Sequence, residues 1–310
     1  VLADFAKSIK NAPEIRIHIQ KLESNHELKR IKYEAQQKKR LGIFLAWAIS
    51  LSITALLFTL IYLTNKSFPL SAFGLIPFGI VFALLWSYGL SQGANKRYQT
   101  YVTPGAVKLI YGEEAIYKAE GGFETSFLEE LDEFKINNLE QEDWIDGCFE
   151  GVHCTMGDVS SYHYSSSKNG TNRVYDFRGT IMVFDLNKTA SETLIVREGI
   201  HLFKGKGLKY GSEEFSQYFK TYCENEFNAS YILTPEMQKG ILDIRKTISG
   251  NLTLIFRGNK LILIRNGRTI DFHLDLKKDD AFNFNIIIDA IIPMAYVVKK
   301  LNLDIPYYSD

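Results

Sequence analysis

Cysteine is scarce in this chain: Cys148, Cys154 and Cys223 are the only three in 310 residues. So sparse and odd a set argues against a disulfide scaffold. Net charge is also missing. Thirty-six Lys and Arg balance 36 Asp and Glu, so no global field favours nucleic acid as a partner. Catalytic signatures are absent as well: there is no G-x-S-x-G elbow, no H-E-x-x-H and no G-x4-G-K-[ST] loop. Two long stretches, Leu41–Thr64 and Phe68–Leu90, lack Asp, Glu, Lys, Arg and His altogether. Ion and substrate paths through a bilayer are usually marked by ionisable residues, so this absence counts against a channel or transporter formed by this chain alone. Aromatic residues are plentiful, with 21 Phe and 17 Tyr, which argues against disorder.

Each uncharged stretch exceeds the roughly 20 residues that a helix needs to cross the hydrocarbon of a bilayer. Only Asn65, Lys66 and Ser67 separate them, so the pattern predicts a transmembrane hairpin with spans 41–64 and 68–90. Forty mostly polar residues precede the first run and no cleavage-like site follows it, which disfavours a signal peptide. Lys29, Arg30, Lys32, Lys38, Lys39 and Arg40 precede the first span, and Lys96 and Arg97 follow the second. The positive-inside rule then puts both flanks in the cytoplasm and the turn outside, as expected of a multi-pass membrane protein. Trp47, Trp86 and Tyr88 toward one end, and Tyr62 and Phe68 toward the other, suit aromatic belts.

Small residues recur at helical spacing within the spans. Ala46 and Ser50 share one face, and Gly89 and Gly93 form a GxxxG near the exit of the second span. Such faces let helix backbones approach closely, within the hairpin or between chains. Before the spans, residues 1–40 form a basic arm. Ile15, Ile19, Leu22, Leu28 and Ile31 follow helical spacing from Pro13 onward, which predicts an amphipathic helix packed on a partner or on the chain's own domain.

From residue 98 the pattern becomes mixed. Tyr98–Tyr111 reads as a continuation of the second span that turns at Thr103-Pro104-Gly105. A short helix is predicted over Phe127–Phe134, and strands over Trp144–Met156, Arg173–Leu186 and Thr193–Val196, with a hairpin loop at 165–170. Ser212-Glu213-Glu214 and Thr234-Pro235-Glu236 are helix starts. A meander follows: Leu252–Phe256 and Leu261–Arg265 flank Arg257–Lys260, and Asn266-Gly267 turns into Thr269–Leu274. The apolar stretch Phe282–Leu301, interrupted by Asp289 and Pro293, reads as a core helix rather than a third span. The expected fold is therefore a membrane-anchored α+β protein: an arm (1–40), a transmembrane hairpin (41–97) and a cytosolic α+β domain of antiparallel hairpins and meander (98–310).

Three segments carry a family resemblance: Tyr101 to Ile110 (YVTPGAVKLI), Phe177 to Lys188 (FRGTIMVFDLNK), and Glu214 to Phe219 (EFSQYF) leading to Ala229 to Pro235 (ASYILTP). With the order arm, hairpin, α+β domain, the chain resembles the bacterial two-span membrane proteins grouped as domain of unknown function 3137. The resemblance implies no activity. It implies a partner, because such proteins are commonly encoded beside LemA-family membrane proteins.

Chemistry-bearing residues are few. Cys148, His153 and Cys154 are spaced C-x4-H-C, which matches no zinc knuckle or ribbon. On a single strand His153 would face away from both thiols. Gly205, Lys206 and Gly207 before a helix start suggest an anion-cradling loop. Asn169, Asn187, Asn228 and Asn251 each open a glycosylation triplet, which matters only to a chain in a secretory lumen. No catalytic residue, metal ligand or cofactor is assigned. The expected function is a membrane-anchored scaffold or adaptor in an oligomeric complex, homomeric or with a LemA-like protein. The alternatives are a membrane-bound enzyme acting on a phosphorylated or lipid ligand, with a site around Lys204, Lys206 and Lys209, and an accessory subunit of a transport assembly.

Overall fold

The computed structural model describes residues 2–65, 93, 96–167, 170–199, 210–267, 269, 270, 272, 274 and 278–305. The expected second span, with Gly89, and the candidate anion loop at Gly205, Lys206 and Gly207 lie outside them. Helices are α1 (Leu2–Lys10), α2 (Pro13–Ser24), α3 (His26–Asn65), α4 (96–111), α5 (Thr125–Leu131), α6 (Glu213–Tyr218), α7 (Glu226–Ile232), α8 (Pro235–Thr247) and α9 (Asp280–Lys300). Strands are β1 (Ile116–Glu120), β2 (Asn138–Phe149), β3 (Val152–Ser167), β4 (Gly170–Glu198), β5 (Phe219–Tyr222) and β6 (Asn251–Asn266). The chain divides into two compact units. One holds Val1–Arg16, Thr103–Phe272 and Asn285–Asp310; the other holds Ile17–Val102 and His273–Phe284.

The first unit is α+β, built on one antiparallel six-stranded sheet in the order β1-β2-β3-β4, with β5 and β6 also on β4. Phe184 of β4 pairs with both Cys154 of β3 and Leu261 of β6, and Ile195 pairs with both Tyr222 of β5 and Ile255 of β6. Strands β3 and β5 therefore share one edge of β4, and β6 runs along the other. Continuity with β4 explains where the sequence reading went astray. The stretches 173–186 and 193–196 are one strand, and the two expected meander strands, 252–256 and 261–265, are also one. Both halves of β6 pair with β4, and Gly258, at φ +55, absorbs the irregularity opposite Ala190. Conversely, the expected strand 144–156 is two strands, joined at Glu150-Gly151. Both residues have positive φ, the signature of a two-residue hairpin turn that matches strand twist. Residues 269, 270, 272 and 274 form no strand.

Helices cover both faces of the sheet. On one face, Leu128 and Leu131 of α5 pack with Val159, Phe177, Ile181, Ile255, Ile262 and Ile264. On the other, Tyr111 of α4 and the following Ala115 lie over Gly147 of β2. A Cβ on Gly147 would lie 2.8 Å from the Cβ atoms of Tyr111 and Ala115, so glycine is what lets Tyr111 reach inward. The Tyr111 hydroxyl donates to the Ile291 carbonyl, at 2.5 Å, and accepts from the Ala295 N–H, at 3.3 Å. Those two groups are an i, i+4 pair that would ordinarily bond each other. They flank Pro293, which lies inside α9 and cannot donate to the ladder. The helix runs unbroken through Pro293, as the core-helix reading expected, and a side chain from α4 joins its ladder beside that residue. The expected turn at Thr103-Pro104-Gly105 is absent, since α4 runs straight through to Tyr111.

Among the described residues, α9 is long and apolar enough to cross a membrane by length and composition, but 67% of its most apolar window is buried inside the protein. Ile287, Ile288, Ile291, Ile292, Val297 and Val298 are fully enclosed, which agrees with the core-helix reading. Replacing Tyr111 with Phe should cost about 1–3 kcal/mol, because the α9 turn loses its bridging hydroxyl. Replacing Gly147 with Ala should cost about as much by displacing the same ring. Shifts in chemical-denaturation midpoints at constant slope would show both.

Candidate functional site

In the second unit, α3 begins where Asn25 accepts hydrogen bonds from the N–H groups of Glu27 and Leu28, at 2.9 and 3.2 Å. This cap splits the expected single arm helix into α2 and α3. The arm's apolar stripe is not free: Ile15, Leu22, Leu28 and Ile31 are all buried within this chain. Lys32 lies 2.6 Å from Asp280, which also accepts from the Tyr98 hydroxyl at 2.7 Å. Burial, with Asp280 alongside, pushes the Tyr98 phenol up. A largely buried ion pair holds only when both partners are fully bonded, and Lys32 adds a bond to the Lys278 carbonyl, at 3.1 Å.

Beside this knot is a cleft of about 510 Å³, lined by Glu27, Arg30, Ile31, Gly93, Lys96, Arg97, Thr100 and Tyr101. Arg30 and Arg97 each hold one oxygen of Glu34, at 2.8 and 3.3 Å, and together they keep its carboxyl below the usual range. Of the candidate packing residues, Gly93 faces this open space: a Cβ there would meet nothing within 4 Å. Ala46 and Ser50 lie on α3. Along the same helix, Leu41, Phe44, Trp47, Leu51, Leu56, Leu60 and Leu63 are 41 to 72% exposed, an apolar surface far longer than an ordinary surface patch.

In the first unit the hairpin turn at Glu150-Gly151 sets Cys148 directly opposite His153. The single-strand expectation that they diverge is therefore wrong. The arrangement is nonetheless no thiolate–imidazole pair. His153 Nε2 lies 3.0 Å from Asp146 and Nδ1 lies 3.7 Å from Asp185, so both ring nitrogens face carboxylates. Thr155 donates to Asp146 at 2.7 Å and Lys260 pairs with Asp185 at 2.5 Å, completing a polar row across four strands. Among the described residues, no group of three or more His, Cys, Asp or Glu is arranged to hold a metal. All three cysteines are free; Cys148 is exposed and Cys154 buried, with its thiol pushed up by burial. Asn228, one of the glycosylation-triplet residues, is buried. Its amide accepts from Ser191 at 3.1 Å and donates to the Glu192 carbonyl at 3.0 Å.

The sequence reading missed Asp158. This buried carboxylate in mid-sheet accepts from the Thr180 hydroxyl at 2.8 Å and from the Ile270 N–H at 2.6 Å. Arg265 in turn donates to Thr180 at 3.0 Å. Burial pushes the Asp158 carboxyl up to about 8, and Asp143 adds to the rise. The bonds from Thr180 and Ile270 and the charge of Arg265 oppose it. A buried Asp within an apolar β pattern was the only available signal. Between the unfolded value near 4 and about 8, the folded chain holds a proton that the unfolded chain has lost. Stability should therefore fall as pH rises through that window, by at most about 1.4 kcal/mol per pH unit. Denaturation midpoints measured from pH 5 to 8 should fall for the native sequence, and Asp158→Asn should lack that component.

Comparison with known proteins adds a family. No curated protein matches this chain. The crystal structure of the mycobacterial trehalose monomycolate transport factor A, TtfA, aligns with 65% of this chain and 94% of its own, at 8% identity and a TM-score of 0.34, a likeness too slight to carry fold or function across. Residues 175–303 match the family described as protein of unknown function, DUF3137. That segment contains most of β4 and all of β5, β6, α8 and α9 up to the Leu303 turn, so over this part of the sheet and its helices the chain is similar to the DUF3137 family.

Proposed function

We propose that the chain is a membrane-anchored scaffold or adaptor. One observation carries the reading: the apolar half of α3 is a helical rod whose side chains stand exposed along its length. A 24-residue stretch spans about 36 Å, enough for the hydrocarbon core, and a bilayer is the solvent that accepts such a surface. In this reading α3 enters the membrane at Leu41, residues 68–90 return, and the basic flanks lie in the cytoplasm of a bacterial cell. Residues 98–310 then face the cytoplasm as an α+β domain that binds a protein. The arm's apolar stripe is already covered, so association runs through the spans and the cleft at Gly93, with a second copy or a LemA-like helical protein as neighbour.

Protease added to intact cells should leave residues 98–310 uncut, and opened cells should lose them; digestion from outside would overturn the orientation. A Cβ on Gly93 would meet nothing within 4 Å, so Gly93→Leu should leave folding unchanged and lower the oligomer fraction in mild detergent. If the native protein stays monomeric in several detergents and nothing co-purifies from native membranes, the scaffold reading fails.

A further inference from the structure

Strands β3 and β4 continue past the rest of the sheet as a two-stranded ribbon. Strand β2 leaves β3 at the pair Asn138–Tyr162, and β6 joins β4 only from Gly179. Among the described residues, therefore, 163–167 of β3 and 171–177 of β4 have no strand on their outer sides. Such edges present a row of backbone donors and acceptors ready for another strand.

One face of the ribbon carries an ordered aromatic and cationic array. The Tyr162 ring lies 5.7 Å from that of Tyr164 and 6.1 Å from that of Tyr175. The Arg173 guanidinium stacks 3.3 Å from the Tyr162 ring centre and 4.8 Å from that of Tyr175; Arg178 sits 5.5 Å from the latter. Tyr164 and Tyr175 are 60 and 45% exposed. Exposed tyrosine and arginine held in place by mutual stacking are the residue types that dominate binding hot spots, and preorganisation lowers the entropy lost on docking.

We propose that this face, with the ribbon's free edges, docks an extended acidic segment of a partner protein. The occupant follows from charge. Arg173 is engaged by Glu140 at 2.5 Å, while Arg178 has no carboxylate partner among the described residues. The acids beside the array are engaged: Glu140 of β2 by Arg173, and Asp176 of the ribbon by His163 at 2.9 Å and Asn137 at 3.0 Å. A second copy of this chain therefore offers no free carboxylate from its ribbon, whereas a partner strand with acidic side chains satisfies Arg178 and the open edge together. Backbone pairing supplies affinity and alternate side chains supply specificity. The inference rests on the adaptor reading and names the contact through which the domain would bind.

The test uses the full chain in detergent with labelled peptides of about ten residues that alternate Glu or Asp with Val or Thr, against the same peptides carrying Lys. The acidic peptides should bind, and should slow amide exchange at 163–167 or 171–177. Arg178→Glu and Tyr164→Ala should each weaken binding by about tenfold or more; both residues are at the surface, and unchanged circular dichroism controls for folding. Absence of binding, binding without slowed exchange in the ribbon, indifference to both variants, or equal binding of the Lys peptides or single-stranded DNA would each overturn the proposal. Peptide binding by a protein that proves not to be membrane-inserted would sink the anchoring and leave the ribbon standing; insertion without peptide binding would do the reverse.

Discussion

The α+β unit depends on one hydroxyl group. Helix α9 is buried along most of its course, and Pro293 within it has no N–H to give to the ladder. Buried ladder groups next to such an interruption need partners, and the Tyr111 hydroxyl supplies one to the Ile291 carbonyl and one to the Ala295 N–H at once. Other features follow from that requirement. Helix α4 must remain unbroken through Thr103-Pro104-Gly105 to deliver Tyr111, and β2 must carry glycine at 147 to admit the ring. Phe149 then packs against the edge of Tyr111, and Phe5 lies against both Phe149 and Tyr296.

Polar groups obey the same rule elsewhere. Lys32 and Asp280 are buried together with a phenol and a backbone carbonyl to complete their bonding, and Asp158 is buried with a hydroxyl and an amide. The cost of desolvating each is offset by bonds that leave little unsatisfied. Only Asp158 lacks a direct cation, and it is the carboxyl that burial pushes up to about 8. At these two places, then, a buried polar group has its complement.

Three surfaces break this closure: the apolar length of α3, the cleft where Arg30 and Arg97 share Glu34 beside Gly93, and the Tyr–Arg ribbon with its free edges. Each exposes what folding normally conceals: aliphatic side chains, concentrated positive charge or unpaired strand backbone. They differ in chemistry and so call for different complements: a hydrocarbon solvent, a neighbouring helix and an acidic strand. The proposed scaffold would use all three. Its surfaces would then be the functional parts, and the buried polar knots the means of keeping them in place.

Local chemistry was legible in the sequence. The starts of α6 and α8 were visible at Ser212 and Thr234, whose hydroxyls accept the expected capping bonds. The core helix at 282–301 and the Asn266-Gly267 turn were also visible, because caps, turns and hydrophobic period are decided within a few residues. Strand continuity was not legible. Gly258 reads as a turn until β4 is seen to hold both halves of β6, and residues 144–156 read as one strand until positive φ at Glu150 and Gly151 folds them into two. The meeting of Cys148 with His153, the buried Asp158 and the ribbon's stacked tyrosines and arginines all depend on pairing between distant segments. By itself the sequence determined which stretches are apolar, where helices begin and how charge flanks the long hydrophobic run, since those are properties of neighbouring residues. Only the tertiary structure decided register, which side chains share a face and which polar groups are buried, because a strand's partner is chosen by the sheet as a whole and a one-residue shift would reverse every face.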